Sequence, residues 1–235
     1  MGAHRILGIL PARGCSKGIP GKNLKPLLGK PLIAWAATAL AHSVEVEKKI
    51  CSTDDSHIAQ IAKAYGLQVP WLRPPKLALD DSLVVDVIEH ALRSMSAELD
   101  ISYTHVALIQ ATSPTVTATD IDASIRLAIE TDADTVITGF HAGQRHPATM
   151  YTMAEDGSVY WLLEQRQRMA RRQDLPPIFV RTGLVYVIKA DVILKRHSIY
   201  GDRIMSLIIP EERAITIDDE SDFRLAEFLL GGERQ

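Results

Sequence analysis

Short apolar runs alternate with longer amphipathic ones along most of the chain. Arg5–Leu10 (RILGIL) is apolar and β-prone, which predicts a buried strand. Pro11–Lys30 is a loop punctuated by glycine and proline. Pro31–Ser43 opens on proline and continues with Ala, Leu and Trp, which predicts a helix with Pro in its first turn. Lys49–Ser52 is a short strand, and Thr53, Asp54 and Asp55 supply capping side chains for a helix that runs to Tyr65 and stops at Gly66. Leu67–Leu72 predicts a third strand. Ser82–Ser94 is helical, with apolar residues at Val84, Val87, Ile88, Ala91 and Leu92. Val106–Ile109 predicts a strand, Thr119–Thr131 a helix capped by Thr119 or Asp120, and Thr135–Thr138 another strand.

Strands that are apolar rather than alternating belong to a parallel sheet covered on both faces. Such sheets bind ligands beyond the carboxyl ends of their strands. The loops to watch are therefore Pro11–Lys22, Ser52–Asp55, Arg73–Ser82 and Gln110–Thr115. The rhythm breaks near Phe140, where Ala148–Leu163 predicts a hairpin turning at Asp156-Gly157. It resumes with Gly183–Ile188, Ala190–His197, Ile204–Ile209 and a last helix, Glu220–Leu230. The expected organisation is one α/β domain over residues 1–235, with an insertion at about 140–179.

Composition narrows the class. The chain has 235 residues, 46% hydrophobic and 23% charged, the profile of a soluble globular protein. The two cysteines, Cys15 and Cys51, cannot form a disulfide scaffold, so a cytoplasmic protein is expected. No apolar stretch is long enough to span a bilayer. The net charge of −3 hides segregation: no acid precedes Glu45, while Arg5, Arg13, Lys17, Lys22, Lys25 and Lys30 do. A second basic cluster holds Arg166, Arg168, Arg171 and Arg172, and acids gather from Glu211 to Asp222. This pattern suits a local anionic ligand and weighs against nucleic acid as a partner.

The chemistry concentrates in the first loop, Pro11-Ala-Arg-Gly-Cys-Ser-Lys-Gly-Ile-Pro-Gly-Lys-Asn23. Its glycines let the backbone approach a ligand, and successive N–H groups in such a loop can cradle an anion. Arg13, Lys17 and Lys22 add cations with no acid nearby in sequence, a set suited to a triphosphate. A P-loop is excluded, because Ser16 occupies its first glycine position and Asn23 replaces the Ser/Thr. The spacing of Gly14, Gly18 and Gly21 also excludes a dinucleotide fingerprint.

PARGCSKGIPGKNL resembles the signature of the N-acylneuraminate cytidylyltransferases, the CMP-sialic acid synthetases. The same family's order is kept by Ser52-Thr-Asp-Asp55, Arg73-Pro74, Leu77–Asp80, Asp86–Leu92, Gln110-Ala-Thr-Ser-Pro114, Arg171–Pro176 and Ile217-Asp218. The resemblance implies a three-layer Rossmann-like nucleotidyltransferase fold, mostly parallel, with a small inserted dimerisation subdomain. It implies an enzyme that joins an α-keto acid sugar to CMP, using CTP and Mg²⁺ and releasing pyrophosphate. Arg13, Lys22 and Asp218 are then the catalytic candidates. Arg13, Gly14, Ser16, Lys17, Lys22, Asn23, Arg73 and Ser82 are the nucleotide candidates, with Arg73 matching the reader of the cytosine. An arginine fork suits the O2 and N3 acceptors of that base. Gln110, Thr112, Ser113 and Arg172 are the sugar candidates, Arg172 matching the arginine that pairs with the sugar carboxylate, in cis or across a homodimer. Asp218 is the metal candidate.

Departures from the family pattern fall mainly on the sugar side. Thr216 stands where some relatives carry a second Asp, Thr182 where Asn is usual, and Thr149 where some carry Lys. Val116 takes the place of a frequent arginine, and Cys15 that of a frequent glycine. The expected acceptor is therefore a nonulosonic acid, including those of pseudaminic or legionaminic type. A 3-deoxy-manno-octulosonate cytidylyltransferase ranks lower, because the chain has Lys17-Gly18-Ile19-Pro20 where that family has Arg-Leu-Pro. A non-catalytic nucleotide-binding homologue is the third reading, suggested by Thr182 and Thr216.

Overall fold

A computed structural model of the chain describes residues 4–15, 18–143, 145–163 and 174–232. Among them is a six-stranded sheet. Its strands are β1 (Ile6–Pro11), β4 (Lys48–Ser52), β5 (His105–Ile109), β6 (Thr135–His141), β9 (Phe179–Lys189) and β10 (Ile204–Ile208), in the order β10-β6-β9-β5-β1-β4. β1 pairs in parallel with β4 and β5, and β10 with β6. β9 runs antiparallel to both its neighbours. β9 follows the insertion, and its pairing with β5 and β6 reverses the direction of an otherwise parallel sheet.

Both faces are covered, as the apolar strands require. Ile6 and Leu10 pack with α1 (Leu32–His42), α2 (Ser56–Ala64) and α4 (Ala118–Thr131), while Leu7 and Ile9 pack with α3 (Val84–Leu99) and α5 (Ala190–Arg196). Gly8 permits the close approach of α1, since a Cβ there would lie 2.7 Å from Leu40. A third, smaller cluster matters most for the site. Ile19 of the first loop and Leu27 of the β2–β3 hairpin (β2 Pro26–Leu27, β3 Lys30–Pro31) pack on Ile215, Ile217 and Phe223. Phe223 belongs to α6 (Glu220–Gly232), so the first loop is seated on the C-terminal segment.

Several expectations are corrected in detail. The third strand at Leu67–Leu72 reduces to a single bridge between Gln68 and Ile50, because Pro70 removes a ladder donor. α3 begins at Val84, not Ser82, and runs on to Leu99. α4 is capped by Thr117 in a capping box with Asp120, rather than by Thr119 or Asp120 itself. β9 starts at Phe179, four residues earlier than expected, and pairs across a register shift with the extended end of β6. The inserted hairpin forms as β7 (Tyr151–Met153) and β8 (Val159–Trp161), with Gly157 at φ +86° in its turn. It stands off the main sheet, and Tyr151, Met153, Val159, Tyr160 and Trp161 are all exposed.

Candidate active site

The strand ends bring the expected loops together. Beyond β1 the first loop is stitched to β4, with the Ala12 N–H donating to the Ser52 carbonyl at 3.0 Å. Asn23 is buried, and its side-chain amide donates to the Arg13 carbonyl at 3.0 Å, bracing the loop from inside. Gly18 is pressed against the C-terminal segment, where a Cβ would lie 2.6 Å from the Asp218 carbonyl oxygen. The Ile217 N–H in turn donates to the Thr112 carbonyl at 2.8 Å, so the first loop, the end of β5 and the segment before α6 form one wall.

Two clefts result. The first, about 350 Å³, has Arg13, Lys22, Asn23, Gln110, Thr112 and Asp218 in its walls. The second, about 330 Å³, has Arg73, Leu77, Leu79, Asp80 and Ser82. Pro11, Arg13 and Val84 line both, so the clefts adjoin and Arg13 stands at the junction.

Two of the loop cations that lacked acids in sequence, Lys22 and Arg13, have them in space. Lys22 Nζ donates to the Ile217 carbonyl at 2.7 Å and lies 3.5 Å from Asp218 Oδ1. Arg13 pairs with Asp80 at 2.9 Å and donates to the Leu79 carbonyl at 3.3 Å. Such partly exposed pairs are weak and open to exchange for a stronger anion.

Arg73 is 5% exposed, which is unlike a surface arginine. Its N–H donates to the Thr53 carbonyl at 2.7 Å, and its Nη2 lies 3.3 Å from Asp54 Oδ1. Burial lowers its affinity for its proton and Asp54 offsets part of that loss. Its Nε is buried without a partner among the described residues. Ser82 closes the turn at the far wall, donating to the Lys76 carbonyl at 3.1 Å. Gly14 donates its N–H to Asp54 at 3.2 Å.

On the acceptor side, Gln110 and Thr112 reach the first cleft. Gly183 makes room for Gln110, since a Cβ there would lie 2.5 Å from Gln110 Oε1. Thr182 bonds Thr138 hydroxyl to hydroxyl at 2.6 Å inside the sheet. Ser113 is fully buried and lines neither cleft, and its hydroxyl has no partner among the described residues. Ser16, Lys17 and Arg172, with Arg166, Arg168 and Arg171, lie outside the described residues.

Asp218 is 81% exposed at its side chain and lies in the first cleft, which fits a hard cation held jointly with phosphate oxygens. Thr216 lines a different cavity, beside Phe140 and Leu225. Among the described residues no group of three or more metal-binding side chains occurs. Asp219 caps α6, accepting from the Ser221 hydroxyl at 2.5 Å and from the N–H groups of Ser221 and Asp222 at 2.7 and 3.0 Å; the hydroxyl first, and the two N–H groups with it, hold its carboxyl below the usual range. Two residues escaped the sequence reading. Asp54 looked like a cap for α2, but Asp55 does that work, accepting from His57 and Ile58. Two adjacent acids where one cap suffices is the signal that could have found it. Asp80 was visible only as part of a motif.

A family model described as cytidylyltransferase matches residues 7–227. The chain belongs to the cytidylyltransferase family. This cytidylyltransferase is similar to the CMP-N,N′-diacetyllegionaminic acid synthase of Legionella pneumophila, with 31% identity covering 96% of each chain. It is 26% identical to the pseudaminic acid cytidylyltransferase of Campylobacter jejuni over 95% of each. Among solved structures it resembles a CMP:2-keto-3-deoxy-manno-octonic acid synthetase complexed with CTP, at a TM-score of 0.70 and 16% identity, covering 97% of this chain and 99% of the other. The last likeness concerns the fold. Membership makes the chain a nucleotidyltransferase enzyme. No described helix of this cytidylyltransferase is long and apolar enough to cross a membrane.

Proposed function

We propose that this cytidylyltransferase takes CTP and a nonulosonic, sialic-acid-like α-keto acid sugar and yields the CMP-sugar and pyrophosphate. The carrying observation is the pair of adjoining clefts that meet at Arg13, one bearing Lys22 and Asp218 and the other a buried arginine, Arg73. Arg73 reads the cytosine edge in the second cleft. Arg13 and Lys22 hold the triphosphate at the junction and in the first cleft, exchanging Asp80 and Asp218 for phosphate oxygens. Gln110 and Thr112 face the acceptor sugar. The acceptor's anomeric hydroxyl forms the new bond to the α-phosphorus as the bond to the pyrophosphate oxygen breaks.

Positioning and charge neutralisation supply most of the acceleration in such a transfer. Lys22 and Arg13 act where negative charge grows on the α-phosphate and the departing pyrophosphate. Asp218 is the residue suited to hold Mg²⁺, which when bound supplies further neutralisation of the phosphates. The relatives named for legionaminic and pseudaminic acids favour that acceptor class.

A homodimer is part of the same reading. The hairpin exposes Tyr151, Tyr160 and Trp161, and Phe179 and Val180 of β9 are exposed as well, side chains of the kind that a partner would cover. A cytoplasmic enzyme is expected, where CTP is available. The activity test follows pyrophosphate release from each of the four nucleoside triphosphates with Mg²⁺ and a panel of nonulosonic acids, including 3-deoxy-manno-octulosonate. The reading expects release to need CTP and a nonulosonic acid. Release best with UTP or GTP contradicts the base assignment, and sedimentation at micromolar concentration as a monomer contradicts the dimer.

A further inference from the structure

One carboxylate ties the two clefts together from beneath. Asp54 Oδ1 accepts the Gly14 N–H at 3.2 Å and lies 3.3 Å from Arg73 Nη2. Gly14 follows Arg13, which lines both clefts, and Arg73 is a wall of the second. The turn that carries Asp54 has no need of its side chain. Asp55 caps α2, and Thr53 Oγ1 accepts the Asp55 N–H at 3.1 Å. Both ends of the link are firmly seated. A side chain at position 14 would meet Asp55 at 2.9 Å, and the Arg73 backbone is held by Thr53 at 2.7 Å.

Among the described residues Asp54 is the one side-chain acceptor on the Arg73 guanidinium, whose Nε has no partner. Its contact with Nη2 restrains how the guanidinium turns toward the cleft. Cytosine offers O2 and N3 as acceptors to that fork, whereas uracil turns an N3–H toward it. An arginine locked in plane rejects the donor edge, and one free to swing accommodates it.

We infer that Asp54 is a positioning residue that couples reading of the base by Arg73 to the setting of the phosphate loop at Gly14, so that preference for cytosine is expressed in the rate of transfer as well as in affinity. The inference rests on the proposed use of CTP. It concerns how this chain's own turn transmits that choice.

The test compares kcat/KM for CTP and for UTP in the wild type, Asp54→Asn, Arg73→Ala and the double variant. Asp54→Asn is expected to shrink the CTP:UTP ratio by about tenfold, the scale of one lost charged hydrogen bond, with part of the loss in kcat for CTP. In the Arg73→Ala background the same substitution is expected to change the ratio by less than about twofold, because its route has been removed. A merely structural role lowers both nucleotides equally, and a ratio unchanged by Asp54→Asn overturns the inference while leaving the proposed function standing. A wild type without preference for CTP overturns the functional reading, and this inference with it. A second measurement needs no variant. Cytidine, which has no phosphates to touch the loop, is titrated into ¹⁵N-labelled wild-type protein. The Gly14 amide resonance is expected to move together with Arg73 Nε, and movement of Arg73 alone overturns the coupling.

Discussion

Lys22 and Asp218, 196 residues apart, face each other across the first cleft at 3.5 Å. Lys22 is the better covered of the two, with a side chain 13% exposed against 81% for Asp218, and it is oriented by the Ile217 carbonyl. The lysine is thus aimed before any ligand arrives, and the carboxylate is free to turn toward a cation. Lys22→Ala is expected to lower kcat/KM for CTP by about a hundredfold or more, with the melting temperature close to that of the wild type. A loss below about tenfold, roughly 1.4 kcal/mol, would mean that the lysine has no part in stabilising the phosphates.

Gly183 and Gln110 make a second, separable prediction. A methyl group at position 183 would lie 2.5 Å from Gln110 Oε1, so Gly183→Ala must push Gln110 out of its place in the first cleft. The KM for the acceptor sugar is expected to rise by about tenfold while the KM for CTP stays within about twofold. Equal changes in both would place Gln110 on the nucleotide rather than the sugar.

Arg213 and Asp120 concern stability alone. Asp120 is a buried carboxylate, and Arg213 pairs with both its oxygens at 2.7 and 3.1 Å. Thr117 also donates to it, closing the α4 capping box. Arg213→Met leaves that charge without its cation and is expected to cost about 2–3 kcal/mol, or roughly 5–10 °C in melting temperature. A shift under about 2 °C would show that the capping box alone satisfies Asp120.

His105 gives a pH dependence. It opens β5, is 5% exposed, and burial pushes its imidazole from 6.5 down to about 4. The folded pKa lies below the unfolded one, so between these values the unfolded chain holds more protons. Stability therefore rises with pH across that window and is lost as pH falls through it. The contribution is about 3 kcal/mol at most. In His105→Gln the drop in melting temperature between pH 7 and pH 4.5 is expected to shrink by about 5 °C or more. An unchanged drop would assign the acid sensitivity to other groups.

The strands, the main helices and the first loop were legible in the sequence because each carries a local signal. The apolar run at Ile6–Leu10 and the proline opening α1 are such signals. What was not legible depends on long-range pairing. No pattern in Phe179–Lys189 announces a strand that runs against its neighbours, because direction is a matter of which distant strands it pairs with and leaves no trace in local periodicity. The same holds at the site. The cationic loop was visible, but Arg13 beside Asp80 and Lys22 beside Asp218 join residues far apart in the chain. Ser113 shows the converse, since its place in a motif does not reveal that its hydroxyl faces inward.

The central claim is that CMP is transferred from CTP to the anomeric hydroxyl of a nonulosonic acid, and ³¹P NMR of the reaction reports that bond directly. The account predicts that CTP, Mg²⁺ and a legionaminic- or pseudaminic-type acid give one new phosphodiester resonance with an equal amount of pyrophosphate, and neither without the acid. Formation of CDP and phosphate, or pyrophosphate release independent of the acid, would contradict it.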